Sequence, residues 1–171
     1  SAGYTIVDES MTISKLYATA RRLQMQQGMN MLVVDYLQQI SGTGDNREQE
    51  VASVVRGLKD IATDLQIPVI ALSQFNRKSD QRPKMNEFRE SGAIEQWANI
   101  AIIMWNPTVD GLDTFPEDES EGMWAGKPTQ NLVELNVAKN RGGKPGVVKV
   151  GFSGEIQKFY NVTKPKDYAA F

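Results

Sequence analysis

The ten residues from 31 to 40, MLVVDYLQQI, carry the pattern that decides the fold. Residues 31–34 form a continuous apolar run, which is typical of a strand buried on both faces of a parallel sheet. The run ends in a carboxylate, Asp35, and ligands of such sheets bind beyond the carboxyl ends of the strands. Asp35 therefore either begins a solvated turn or holds, usually through water, the Mg²⁺ of a bound nucleotide. These residues alone leave both possibilities open.

Apolar periodicity on either side of this strand predicts alternating strands and helices over the first hundred residues. One helix should begin at the N-cap Thr12 and end at Gly28. A longer helix should begin near Glu48, with an apolar stripe of Val51, Val54, Val55, Leu58, Ile61, Ala62 and Leu65. The other predicted elements are a short helix at 91–98 and strands at 4–8, 31–35, 69–74 and 99–105. This alternation predicts βαβ units and a parallel sheet.

The last third of the chain changes character. Residues 131–140 and 146–152 are predicted to be strands around a Gly-rich turn, with a further strand at 156–162. The predicted fold class is therefore α/β, a mainly parallel sheet flanked by helices with antiparallel strands added at its C-terminal edge. The stretch 106–129 is acidic and rich in Gly and Pro, which predicts a surface excursion. Residues 163–171 are predicted to be a weakly structured tail.

Composition limits the chemistry that the chain can perform. The 171 residues include no cysteine and no histidine, and the formal net charge is −2. Disulfides, thiolate metal sites and histidine bases are thereby excluded, and the lack of cysteine fits a reducing cytoplasm. No apolar run reaches the roughly 18 residues that a membrane span needs. Outside the acidic stretch, basic residues outnumber acidic ones, which is compatible with a polyanionic partner.

Polar residues also end the next predicted strand. Ser73 and Gln74 follow the apolar residues of VIALSQ, and they would lie beside Asp35 if the two strands are neighbours. A glutamine amide can donate to a γ-phosphate and accept from another element, so it can respond to the presence of phosphate. Taken alone, Gln74 is better explained as a hydrogen-bonded residue at the rim of the sheet.

Two further segments combine arginine with glycine. RESGAIEQ places Arg89, Glu90 and Gly92 at the start of a short helix, which suits a nucleic-acid backbone but also an ordinary capping turn. KNRGGKPG places Lys139 and Arg141 two residues apart, so that on a strand both cations would project from the same side. Such a pair suits a triphosphate, including one bound by a neighbouring subunit, but also describes a basic hairpin tip.

Together, MLVVDYLQQI, VIALSQFNR, RESGAIEQ and VAKNRGGKPG strongly resemble, in this order and spacing, the C-terminal ATPase domain of DnaB-type replicative DNA helicases. The resemblance runs from about Tyr4 to Tyr160. It implies a RecA-like P-loop NTPase core and a ring of six copies with ATP bound between subunits. It also implies 5′-to-3′ movement along single-stranded DNA, with primase and a helicase loader as further partners. No membrane association is expected.

The resemblance assigns roles residue by residue. Asp35 resembles the Walker B aspartate, which holds Mg²⁺ through water. Gln74 resembles the sensor of the γ-phosphate. Lys139 and Arg141 look like the pair inserted into the next subunit's ATP site, with Arg141 as the arginine finger. The residues expected to contact the DNA backbone are Arg89, Glu90 and Gly92.

This sequence also departs from the family pattern. No Gly-x-x-x-x-Gly-Lys-Ser/Thr phosphate loop occurs in it. Residues 1–162 are therefore expected to be a partial RecA-like ATPase domain that lacks its front part and does not hydrolyse ATP alone. Trp97 stands where an acidic residue is common, and Lys144 displaces the proline of the Gly-rich turn. The alternatives are a non-catalytic DNA-binding or assembly module and a RecA-like recombinase-type ATPase.

Overall fold

The computed structural model describes residues 3–74, 82–85, 91–117 and 119–162. The chain divides into two compact units, one formed by 1–76 with 88–98 and the other by 77–87 with 99–171. The first unit contains β1 (Met11–Thr12), α1 (Ile13–Gln27), β2 (Leu32–Val34), β3 (Ile40–Ser41), α2 (Arg47–Asp64), β4 (Val69–Ala71) and α3 (Ser91–Trp97). The second contains β5 (Ile100–Trp105), β6 (Leu132–Asn140), β7 (Gly146–Ser153) and β8 (Lys158–Asn161).

Side-chain caps stabilise the first turn of both long helices of the first unit, and α1 also ends at its predicted glycine. The Thr12 hydroxyl accepts a hydrogen bond from the Lys15 backbone N–H, and α1 ends at Gly28 in the left-handed conformation, with φ of 66°. Asn46 caps α2 in the same way by accepting from the Gln49 N–H. The predicted α1 is confirmed, and α2 begins one residue earlier than expected.

The apolar stripe of α2 forms the centre of the first unit's core. Val51, Val54 and Ile61 are almost completely buried, and the predicted stripe is confirmed. The core also includes Leu16 and Ala20 of α1 and the residues that β2 and β4 turn toward α2. Trp97, at the end of α3, packs at the edge of this core, and the Arg56 guanidinium lies 5.7 Å from the centroid of its ring.

The close contact between α1 and α2 depends on Gly57. We predict that a larger residue at this position destabilises the protein. A Cβ on Gly57 of α2 would lie 2.2 Å from Cγ1 of Ile13 on α1. Leucine is the better helix former, so propensity alone would predict that Gly57→Leu raises stability. We expect instead a loss of about 1–3 kcal/mol from overpacking, measured by urea unfolding. The double variant with Ile13→Ala should recover part of the loss, and a stabilised Gly57→Leu protein would contradict the prediction.

The predicted strand at 4–8 is wrong. Residues 3–8 have no regular secondary structure, and the Tyr4 and Ile6 side chains are 86% and 76% exposed. Within the described residues, pairing begins only at β1, which runs parallel to β3. The apolar residues of YTIVD are suited to a strand, but a strand needs a partner edge and a surface to cover, and neither is formed there.

The second unit is built on a four-stranded antiparallel sheet in the order β5-β6-β7-β8. β5 pairs with β6 through a register shift next to Ala101, and β6 and β7 form the hairpin predicted around the Gly-rich turn. The predicted antiparallel strands are therefore confirmed. None of the helices described is long and apolar enough to cross a membrane.

The acidic stretch 106–129 is only partly the surface excursion that was predicted. Pro107, Phe115, Glu121 and Thr129 are buried, and Phe115 packs with Trp105 and Leu132 in the core of the second unit. The aromatic residues among the acids bury enough apolar area to hold the segment against the sheet. The predicted tail 163–171 lies outside the described residues.

Candidate functional site

The first unit brings two of the predicted site residues to one edge of a sheet. β2 and β4 are parallel neighbours, with Val34 opposite Ala71. The backbone pairing continues beyond the strands, because the Leu72 N–H donates to the Val34 carbonyl at 2.9 Å and the Leu37 N–H to the Leu72 carbonyl at 2.8 Å. Asp35 and Gln74 therefore leave the sheet at the same edge, as expected if their strands were neighbours.

A side-chain hydrogen bond ties the two strand ends together. The Gln38 amide, three residues after Asp35, donates to the Ser73 hydroxyl at 3.0 Å. Asp35 and Gln74 are exposed, while Ser73 and Gln38 are half-buried. The hydrogen bond between Gln38 and Ser73 links the backbones of the two strand ends. The exposed Asp35 carboxylate and Gln74 amide are accessible to a ligand.

One face of the strand pair is apolar and exposed. Met31 and Val33 of the β2 segment and Ile70 and Leu72 of the β4 segment are about half exposed, whereas the opposite face packs against the core around α2. Asp35 and Gln74, which follow these two segments, are also exposed. A ligand held by both residues would lie beyond the carboxyl ends of the two strands.

Asp35 fits water-mediated binding of magnesium. Among the described residues, no cluster of three or more carboxylates could form an all-protein metal cage. Magnesium usually keeps several waters and is held by one or two carboxylates together with substrate phosphates. A single exposed aspartate beside an exposed amide has the chemistry of such a site. Its role remains a prediction.

Lys139 and Arg141 lie at one hairpin end of the second unit. Lys139 is in β6 opposite Ala101, and β6 ends at Asn140, so Arg141 is the first residue of the turn. Its backbone N–H still donates to the Asn99 carbonyl at 2.9 Å, which extends the strand pairing by one residue. The two cations are therefore two residues apart on backbone that is hydrogen-bonded to the neighbouring strand. Arg141 is exposed and Lys139 is half-buried. Their proposed role in a neighbouring subunit remains untested.

Of the three predicted DNA-contacting residues, only Gly92 is described. It lies exposed in the first turn of α3, and a Cβ there would meet no atom within 4 Å. Close packing within the described residues therefore does not explain a glycine at this position. Arg89 and Glu90 lie outside the described residues, and their predicted contacts with DNA stay predictions.

The structure also shows an ionic cluster that the sequence reasoning missed. In the second unit, Arg82 and Lys149 bind the buried carboxylates of Glu121 and Glu134. Burial alone would raise the pKa of Glu121, but hydrogen bonds from Lys149 and Arg82 outweigh it and hold that pKa below the ordinary range. One sequence signal could have predicted the burial of Glu134. It is two residues after Leu132 on the same strand, so both side chains point to the same, buried face of the sheet.

Comparison with solved structures defines the class of protein. The chain matches a solved ATPase domain with a TM-score of 0.74 and 28% identity, over 92% of this chain and 54% of that one. It matches a DnaB-like replicative helicase, described together with its interactions with primase, with a TM-score of 0.73 and 28% identity, over 92% and 38%. The fold is thus the RecA-like α/β fold of DnaB-like ATPase domains, and the predicted fold class is confirmed.

The family follows from the sequence comparisons. The model of the DnaB-like helicase C terminal domain matches residues 2–161, and the chain belongs to this family. The replicative DNA helicase DnaC of Bacillus subtilis (strain 168) is 40% identical over 164 residues, which are 92% of this chain and 33% of that protein. The replicative DNA helicase DnaB of Geobacillus stearothermophilus is 39% identical over 177 residues, 99% and 36%. The chain spans about a third of the length of these relatives.

Proposed function

We propose that this chain is the part of an ATP-driven replicative DNA helicase that carries one side of the ATP site. The observation that supports it most directly is that Asp35 and Gln74 are both exposed at the same edge of two parallel strands. Membership of the helicase family supplies the substrate class. In this proposal six copies form a ring that moves 5′ to 3′ along single-stranded DNA and unwinds the duplex, in the cytoplasm.

ATP hydrolysis would use residues of both units, at ATP sites shared between neighbouring subunits. A water oxygen bonds to the γ-phosphorus, the bond to the β–γ bridging oxygen breaks, and ADP and phosphate leave. Asp35 would hold magnesium through water, and the ion would supply positive charge against the phosphate oxygens. Gln74 donates its amide N–H to the γ-phosphate. Arg141, with Lys139, reaches the ATP of the neighbouring subunit, where a guanidinium stabilises charge in the transition state.

Coupling to DNA would run through the connection between β4 and α3. Gln74 lies at one end of that connection, and the proposed DNA contacts Arg89, Glu90 and Gly92 lie at the other. Loss of the γ-phosphate removes the partner of the Gln74 amide, so Gln74 would couple the nucleotide state to the DNA-contacting residues. Backbone contacts of this kind position the protein on DNA without reading its sequence. Primase and a helicase loader are proposed as partners.

The proposal is tested in a chimera in which this chain replaces the matching third of the Bacillus subtilis relative. We expect magnesium-dependent ATPase activity that single-stranded DNA stimulates, and unwinding only of forks that offer a 5′ single-stranded tail. A well-folded chimera that binds no single-stranded DNA and hydrolyses no ATP would argue against the proposed function. Unwinding from a 3′ tail would overturn the proposed direction.

A second candidate is a DNA-binding or assembly module without catalysis of its own. It is favoured by the lack of a Gly-x-x-x-x-Gly-Lys-Ser/Thr sequence among the 171 residues. The isolated chain provides the discriminating measurement, because this candidate expects single-stranded DNA binding with no ATP turnover in the chain and in the chimera. We propose that the isolated chain is inactive while the chimera is active. A RecA-like recombinase is disfavoured, because the matched family is that of DnaB-like helicases.

A further inference from the structure

A single turn of 3-10 helix, Leu37–Gln39, follows the end of β2 and begins two residues after Asp35. Its first residue, Leu37, is 4% exposed and packs in the core of the first unit. The Leu37 N–H donates to the Leu72 carbonyl at 2.8 Å, and the Leu72 N–H donates to the Val34 carbonyl at 2.9 Å. The β2 segment therefore holds both hydrogen-bonding groups of the Leu72 backbone.

The side chain of Gln38, the middle residue of this turn, extends the connection by one residue. Its Nε2 atom donates to the Ser73 hydroxyl at 3.0 Å, and Ser73 directly precedes Gln74. Gln38 and Ser73 are half-buried, whereas Asp35 and Gln74 are exposed. One hydrogen bond thus joins the residue before Gln74 to the turn that follows Asp35, so it restricts where the Gln74 backbone can lie relative to Asp35.

The carbonyl half of the Gln38 amide has no partner in the part of the chain that the structure describes. Its Oε1 atom is buried, and no described hydrogen-bond donor reaches it. A buried amide oxygen without a donor lowers stability, because it has lost its hydrogen bonds to water. An apolar side chain of similar length would avoid that loss. Stability alone therefore does not explain a glutamine at this position.

We propose that Gln38 is a positioning residue of the ATP site, which acts through Ser73 to hold Gln74 in the productive place relative to Asp35. This inference rests on the proposed function, in which Asp35 and Gln74 act on one nucleotide. Gln38 itself contacts neither the nucleotide nor magnesium in this proposal. A displacement of about 1 Å in a site can lower a rate about a hundredfold, so one hydrogen bond that restricts a strand end can matter. The unpaired Oε1 is then a cost in stability that accompanies a gain in activity.

The test begins with Gln38→Met in the chimera, because methionine keeps the length of the side chain and removes the amide. Steady-state phosphate release gives kcat and the KM for ATP, and the thermal midpoint reports on folding. We expect kcat to fall about tenfold while KM stays within about twofold, since geometry is lost and the binding groups remain. The thermal midpoint should stay the same or rise, because the unpaired Oε1 is gone. A purely structural role predicts the reverse, a lowered midpoint with a normal kcat at temperatures below it.

Gln39→Met is the matched control. Gln39 is the next residue of the same turn, and its Nε2 atom donates to the Tyr36 hydroxyl at 2.9 Å. That hydrogen bond lies within the β2 segment and does not reach the end of β4. Gln39→Met should therefore keep the kcat and KM of the unaltered chimera.

The acceptor of the hydrogen bond gives a second comparison. Ser73→Ala removes the hydroxyl that Gln38 contacts, so kcat should fall as it does in Gln38→Met. The thermal midpoint should fall as well, since the Gln38 amide then loses its one described partner. Ser73→Thr keeps a hydroxyl and should lose less activity than Ser73→Ala.

Combination with Gln74→Ala shows whether Gln38 acts through Gln74. In a chimera that already lacks the Gln74 amide, Gln38→Met should change the remaining kcat by less than about twofold, because the group that it positions is absent. Release of radiolabelled phosphate measures these low rates. An equal loss in both backgrounds would mean that the two residues act independently.

The proposal is overturned if Gln38→Met keeps kcat within about twofold of the unaltered chimera, or if Gln39→Met lowers it equally. It is also overturned if the effect of Gln38→Met is undiminished when Gln74 is replaced. An active chimera that is insensitive to Gln38→Met contradicts this inference alone, whereas an unaltered chimera that hydrolyses no ATP counts against the proposed function.

Discussion

Arg141→Ala is expected to lower the ATPase rate of the chimera by about 10³- to 10⁵-fold, which is the range measured for arginine fingers in phosphoryl transfer. Arg141 is exposed in the first residue of the β6–β7 turn, where its backbone N–H bonds to Asn99. Its guanidinium would act on charge that develops in the transition state. The rate constant should therefore fall much more than the apparent affinity for ATP.

The control for this prediction is Lys144→Ala, which removes another exposed cation from the same turn. Loss of general positive charge at the turn would affect both variants alike, whereas loss of a finger affects only Arg141. Steady-state phosphate release gives the rate constant and KM, and equilibrium binding of a fluorescent nucleotide shows whether the site still forms. An Arg141→Ala chimera within about threefold of the unaltered rate would refute the finger role, since a residue that stabilises the transition state cannot be removed at so little cost.

The parts of the fold that the sequence predicted are those with local causes. Thr12 and Gly28 determine the ends of α1 through hydrogen bonds and a backbone conformation that involve only neighbouring residues. The stripe of α2 follows from helical periodicity: Val51, Val54, Val55, Leu58 and Ile61 are buried as predicted, whereas Ala62 is half-buried and Leu65 lies just beyond the helix. The edge shared by Asp35 and Gln74 was predictable because parallel strands place their carboxyl ends together.

The parts that the sequence did not predict depend on contacts between distant residues. Residues 4–8 have the composition of a strand but no partner within the described residues, so local preference alone misleads there. The ionic cluster joins Glu121 to Arg82 and to Lys149, which lie 39 and 28 positions away along the chain, and no spacing rule connects them. Glu121 was grouped with the surface acids because only the packing of Phe115 shows that its segment is partly buried.

Family membership and site geometry answer different questions in this protein. The first establishes the kind of protein and leaves the role of every individual residue to be measured. The second shows that Asp35 and Gln74 share an edge in one unit, and that Lys139 and Arg141 share a hairpin end in the other. In the proposed function, Asp35 of one subunit and Arg141 of the next act on the same ATP. This predicts that subunits with different substitutions can complement each other, and mixing the two variants tests it.

Asp35→Asn is expected to reduce magnesium-dependent ATP turnover by about a hundredfold or more, by analogy with the cost of removing one group that stabilises transition-state charge. Asparagine keeps the size of the side chain and an oxygen acceptor but lacks the negative charge that attracts the hydrated ion. Asp45→Asn, at another exposed aspartate of the same unit, is the matched control and should leave the rate unchanged. Raising the magnesium concentration should recover part of the lost activity only in the Asp35 variant.

The two variants should also rescue each other. In a ring assembled from Asp35→Asn and Arg141→Ala subunits, some interfaces join an intact Asp35 from one subunit to an intact Arg141 from its neighbour, and those interfaces should hydrolyse ATP. The measurement is ATPase activity against mixing ratio after subunit exchange, with light scattering to establish that mixed rings have formed. We expect a maximum near equal proportions that clearly exceeds either variant alone. If mixed rings form and activity never rises above the more active variant, Asp35 and Arg141 of different subunits do not share one ATP site.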